Sequence, residues 1–146
     1  MVSSNCAANP EFQNSQIQLR FTIIPGQFAV CRLDPEATIP DWAVSPSNLM
    51  VIARTSDELS IVCRADNVPL GTKAEGGWLC LKLIGPFPFS MTGVLACFIA
   101  PLAANHVSIF AMATFDTDYV LVKEEFREVA LSSLQAAGHQ FTAASL

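Results

Sequence analysis

Asp116 and Asp118 stand one residue apart in Thr114-Phe115-Asp116-Thr117-Asp118, shortly after an apolar run that opens at Gly93-Val94-Leu95. Paired carboxylates take up an ammonium group, and threonine hydroxyls such as those of Thr114 and Thr117 add neutral partners. The unpaired N–H groups at the start of a helix hold a carboxylate, helped by the helix dipole. Together these are the two halves of a receptor for a zwitterionic α-amino acid or a related small carboxylate. The candidate ligand contacts are Ser90, Thr92, Gly93, Val94, Leu95, Thr114, Phe115, Asp116 and Asp118.

Other chemistry finds less support. Asp116 and Asp118 lack a third acidic residue nearby in sequence, so Mg²⁺ is not called for. The five cysteines (Cys6, Cys31, Cys63, Cys80 and Cys97) are widely spaced, without the close pairs that zinc needs, and read as buried reduced thiols. His106 and His139 fall at element ends with no partner at ligand spacing, and no nucleophile stands beside a base. Thr72-Lys73 after Gly71 does not complete a phosphate loop. No cofactor is expected, and no catalysis.

The elements that must position the candidate residues follow from patterning. Trp78–Ile84 is a strand ended by Gly85-Pro86. Ser90 supplies an N-cap hydroxyl, and Val94, Leu95, Phe98, Ile99 and Leu102 then mark one face of a helix over 90–105. Val107–Met112 is a strand, Thr114–Asp118 a turn, and Tyr119–Val122 the return strand. Phe126, Val129, Ala130, Ser133, Leu134 and Ala137 keep helical spacing up to Gly138, and His139–Ala143 makes a last strand. This is βαββαβ, with the start of its first helix and the 114–118 hairpin on one edge. Earlier in the chain, Met1–Ser15 reads as a loose tail and Gln18–Ile24 as a strand ended by Pro25-Gly26. Phe28–Leu33 is extended, Asp41–Ala43 is a short helical turn, and Leu49–Arg54 and Leu59–Arg64 form a hairpin. Residues 65–77 read as a loop.

The two halves echo one another. Leu19–Ile24 resembles Leu79–Ile84 sixty residues on, and Thr55-Ser56-Asp57 ahead of Arg64 resembles Thr114-Phe115-Asp116 ahead of Lys123 fifty-nine residues on. The chain of 146 residues is 51% hydrophobic, enough for a good core in one domain or two small ones. With a net charge of −5 and 14% charged residues it lacks a nucleic-acid footprint. Met91–Ala104 is too short to span a bilayer and is interrupted by Pro101, so no membrane is expected and the chain reads as cytoplasmic.

The run GPFPFSMTGVLACFIAPLAANHVSIFAMATFDTDYVLVKEE resembles the second half of small tandem ACT-domain proteins, and IIPGQFAVCRL with RTSDELSIVC resembles the first half. The resemblance covers about residues 18–140. It implies an α+β fold of two ferredoxin-like βαββαβ ACT domains in tandem, over 16–73 and 78–143, the first with shortened helices. It further implies regulatory, allosteric amino-acid binding at an ACT–ACT interface, in a homodimer or with a regulatory protein partner. Asp118 matches an acidic ligand contact in an arginine-sensing relative. The alternative is an interaction module that binds nothing small. The short helices of the first copy bear on whether it keeps a site of its own.

Overall fold

The computed structural model describes residues 17–45 and 48–143. Its elements run β1 (Arg20–Leu33), a 3₁₀ turn at Asp41–Ala43, β2 (Val51–Arg54), β3 (Leu59–Arg64), a 3₁₀ turn at Ala65–Asn67 and β4 (Ala74–Leu83). There follow α1 (Val94–Ala104), β5 (Ile109–Ala113), β6 (Asp118–Lys123), a 3₁₀ turn at Glu124–Phe126, α2 (Arg127–Ala136) and β7 (Gln140–Phe141). The strands form one sheet in the order β2-β3-β1-β4-β6-β5, antiparallel throughout, with β7 added in parallel beside β1. The chain is α+β with the βαββαβ order twice over, and in the first copy both helices are reduced to single 3₁₀ turns.

The tail expected over Met1–Ser15 lies outside the described residues. Two other expectations need correction. Pro25-Gly26 does not end a strand: β1 runs through it with a shift in register, because Gly26 takes φ 93°, a backbone that side chains resist. Residues 74–77, read as loop, begin β4 by pairing with the end of β1, through Val30↔Glu75 and Cys31↔Ala74.

Both long strands therefore serve two units. Residues 28–33 pair with β3, while residues 21–24 pair with the far end of β4. Residues 78–82 pair with β6, while residues 74 and 75 pair back onto β1. Arg64, Phe28, Trp78 and Lys123 form one row across four strands, and the two units are related about the middle of that row. In this relation Phe28 corresponds to Trp78 fifty residues on, whereas Arg64 corresponds to Lys123 fifty-nine residues on. Most of this difference of nine is helix that the first copy lacks, since α1 has 11 residues and the Asp41–Ala43 turn 3. The echo between Leu19–Ile24 and Leu79–Ile84 is thus no structural equivalence, since those segments pair with one another, Phe21 opposite Leu83 and Ile24 opposite Cys80.

Alternation sorts the apolar residues onto two faces. Phe21, Leu79, Leu81, Leu83, Val120 and Val122 face α1 and α2 and pack on Val94, Phe98, Leu102, Ala130 and Leu134. Val94, Phe98 and Leu102 recur every four residues, so α1 presents a single stripe to the core. In the first copy the same face holds Ala29, Cys31, Leu59, Ile61 and Cys63, covered by Ala37, Trp42 and Ala43 of the irregular segment. The opposite face carries Phe28, Val62, Cys80, Met112 and Leu121, buried without a helix over them. There the sheet coils enough that β2 and β5, its two edges, line a common cleft with Phe110 and Val62.

Pro101 inside α1 has no N–H, which leaves the Cys97 carbonyl without its helical donor. His139, 3% exposed, fills the gap: its Nε2 lies 3.2 Å from that carbonyl, and its Nδ1 accepts the Leu19 N–H at 3.1 Å. These partners fix the neutral tautomer with the proton on Nε2, so His139 is a structural pin between helix and sheet.

Candidate functional site

The β5–β6 hairpin is built by Thr114. Its N–H and Oγ1 donate to the Thr117 carbonyl at 2.8 and 3.0 Å, and Oγ1 accepts the Thr117 N–H at 3.4 Å. Thr117 is buried, and its hydroxyl donates to the Leu83 carbonyl at 2.8 Å, anchoring the hairpin to the end of β4. The segment leaving β4 is strapped to the same hairpin, for the Phe87 N–H donates to the Asp116 carbonyl at 2.9 Å. A Cβ on Gly85 would lie 2.8 Å from that carbonyl oxygen, so glycine is what lets the two backbones run this close.

The helix start differs from the expectation. Gly93, at φ 79°, is the N-cap, α1 begins at Val94, and no side chain caps it. Ser90 lies in an exposed turn, because Met91 N–H bonds back to Pro88 O at 2.9 Å and closes that turn short of the helix. The first helical bond runs from Cys97 N–H to Gly93 O at 2.9 Å, so the N–H groups of Val94, Leu95 and Ala96 precede the ladder.

Between helix start and hairpin lies a cleft of about 190 Å³. Phe87, Pro88, Phe89, Met91 and Val94 form one wall and Ala113 to Asp118 the other. Of the sequence candidates, Val94, Thr114, Phe115, Asp116 and Asp118 line it. Gly93 caps the helix beside it, Thr92 is exposed on the approach, and Leu95 packs against the core beneath α1. Sequence reasoning passed over Phe87, Phe89, Met91 and Ala113, although the Phe-Pro-Phe run ahead of the helix was a usable signal. Asp116 is exposed and Asp118 half-buried opposite Ala113 in the ladder. The cleft has two carboxylates and no cationic side chain in its lining. A second cavity, about 250 Å³, flanks the hairpin on the other side and holds Lys82, whose ammonium lies 5.9 Å from the centre of the Tyr119 ring. Phe89 and Phe115 meet edge to face at 5.0 Å over the mouth of the first cleft, and are 77% and 79% exposed.

Among the described residues no three metal-type donors cluster, and no helix is long and apolar enough to cross a membrane. Cys31, Cys63, Cys80 and Cys97 are free thiols, the first three of them buried. Burial pushes Cys31 up to about 11 and Cys80 up to about 12.

Residues 73–136 match the family model of the ACT domain. That stretch, the second copy, belongs to the ACT-domain family. A second model, described as an N-terminal domain, matches residues 26–71 of this ACT-domain chain. Protein Atu0741 from Agobacterium tumefaciens is 36% identical and superposes with a TM-score of 0.82, covering 89% of this chain and 96% of that one. The regulatory subunit of aspartate kinase from Thermus flavus shares the fold at 12% identity, with a TM-score of 0.55 over 80% of this chain and 95% of that one. The cytosolic arginine sensor for mTORC1 subunit 1 of Bos taurus is 35% identical over 66 residues, 42% of this chain. That match spans only 20% of the sensor's own length.

Proposed function

We propose that this ACT-domain chain is a regulatory module that binds an α-amino acid, or a related small carboxylate, in the cleft between α1 and the β5–β6 hairpin. One observation carries the reading: a single cleft is bounded at one side by an uncapped helix start and at the other by Asp116 and Asp118. The first side suits the ligand carboxylate and the second its positive group. A relative known as an arginine sensor supports it. Under this reading the units keep the limits 16–73 and 78–143, and a neighbouring ACT unit from a second copy or a regulatory partner closes over the cleft. The module works in the cytoplasm and turns nothing over itself.

A thermal-shift screen of the twenty amino acids, followed by calorimetry, tests the site. Asp118→Asn is expected to weaken the scoring amino acid about ten- to a hundredfold, since a charge-assisted hydrogen bond is worth about 1.5–3 kcal/mol. Equal affinity in the two proteins would make Asp118 a turn residue only. A second reading, an interaction module without a small ligand, is favoured by the exposed Phe89–Phe115 pair. A silent screen, with wild-type binding of a protein partner that is lost in Phe115→Ser, would select it.

A further inference from the structure

The β2–β3 hairpin of the first copy repeats the β5–β6 hairpin in detail. The Thr55 N–H donates to the Glu58 carbonyl at 2.9 Å, and Thr55 Oγ1 accepts the N–H groups of Asp57 and Glu58 at 3.1 and 3.2 Å. In the ladders Arg54 faces Leu59 as Ala113 faces Asp118, so Arg54 holds the place of Ala113 in the cleft wall. The first strands match with their own offset: Arg32 faces Ser60, as Lys82 faces Tyr119.

In the second copy Ala113 lines the cleft of about 190 Å³ and Lys82 the cavity of about 250 Å³ on the hairpin's other side. In the first copy two arginines stand at these places. Arg54 donates from Nη1 to the Pro35 carbonyl and from Nη2 to the Ala37 carbonyl at 2.7 Å, tying hairpin to loop. Arg32 donates from Nη2 to the Asp57 carbonyl at 3.1 Å and pairs with Glu58 at 3.4 Å. A planar guanidinium suits two carbonyls spaced this way because its donors form a rigid fork.

We infer that Arg54 is a built-in occupant: the first copy retains a guanidinium-binding site formed by the Pro35 and Ala37 carbonyls, and the chain fills it with its own side chain. Truncating Arg54 opens that site to a free alkylguanidinium. The assignment rests on the proposed function only in treating the second-copy cleft as the ligand site. The first-copy experiment stands without it.

The test uses the whole chain with Arg54→Ala and n-propylguanidinium, read by melting temperature and by the amide NMR signals of residues 55–59. The variant is expected to melt several degrees below wild type, and millimolar probe to recover at least half of that loss with saturable shifts at 55–59. The same probe should leave those signals unmoved in wild type. Equal shifts in both proteins, or no recovery in the variant, would overturn the assignment. Arg54→Lys, which keeps the charge without the fork, covers a poorly folding alanine variant: it should melt below wild type and ignore the probe, and wild-type stability there would also overturn it. In Ala113→Arg the second-copy cleft should be closed in the same manner. A failed amino-acid screen with a successful rescue at 55–59 would reject the proposed function and leave the built-in occupant standing.

Discussion

His139 carries more of the structure than its position at the end of an element suggests. One ring accepts the Leu19 N–H just ahead of β1 and supplies the donor that Pro101 removes from α1, and the ring also packs 5.6 Å from Phe98. In His139→Leu both the Leu19 N–H and the Cys97 carbonyl lose their partners. A loss of about 1–3 kcal/mol is expected from such orphaned groups. Urea unfolding checks it, and His139→Leu within 0.5 kcal/mol of wild type, the usual scatter of a surface change, would remove the pin from the account. The residue scale is also where the sequence was hardest to read. Asp116, Asp118 and Thr114 declare themselves by type and spacing, whereas Ala113 and Gly85 matter for atoms they lack. A side chain of only a methyl group at 113 leaves room in the cleft, and the absence of any side chain at 85 lets the Asp116 carbonyl approach. His139 was legible as a helix-end residue, but its partners lie 120 and 42 residues away in the chain.

Among the elements, β1, β3 and β4 carry thiols into the interior, Cys31 and Cys63 beneath the irregular segment and Cys80 on the coiled face. Burial disfavours the thiolate, so the folded chain holds these protons to higher pH than the unfolded chain, which releases them near the ordinary value of 9.0. The stabilisation is complete below about pH 9 and is lost as the pH rises towards about 11 for Cys31 and about 12 for Cys80. Denaturant midpoints taken from pH 8 to pH 10.5 should therefore fall, and in Cys80→Ala the fall should be shallower, whatever the variant's stability at pH 8. Parallel curves would assign the alkaline loss to other groups. Element identities were largely open to sequence reasoning because alternation and four-residue spacing are local properties. The start of α1 was misplaced at Ser90 because a serine before an apolar run is a good cap by type. Backbone geometry instead gave the position to Gly93, whose φ of 79° few residues other than glycine adopt.

At the scale of the whole molecule the duplication is visible in sequence, and so is a side-by-side assembly, but the exchange of strand segments is not. Two units at 16–73 and 78–143, each with unpaired sheet edges, suggest strands joined in one extended or paired sheet, which is what forms. Pairing of residues 21–24 with β4, and of residues 74 and 75 with the end of β1, makes each unit depend on a strand segment that runs on from the other. Nothing in a periodic pattern distinguishes a partner strand in the same unit from one in the next, which is why this exchange was not foreseen. Chains cut at residue 73 are accordingly expected to stay unfolded as separate fragments and to fold when mixed. Circular dichroism of each piece alone and of the mixture checks this. An independently folded fragment 74–143 would mean that β1 is dispensable to the second unit.

The same sharing of strands bears on how opening events are distributed over the chain. Proteins built from repeats usually offer partial openings, in which one unit frays while its neighbour stays shut. Here the ladder between β1 and β4 is the innermost of both units at once, so neither can come apart without severing it. The two copies are therefore expected to open as one cooperative unit, so that tightening the hairpin of one half slows amide exchange in the other.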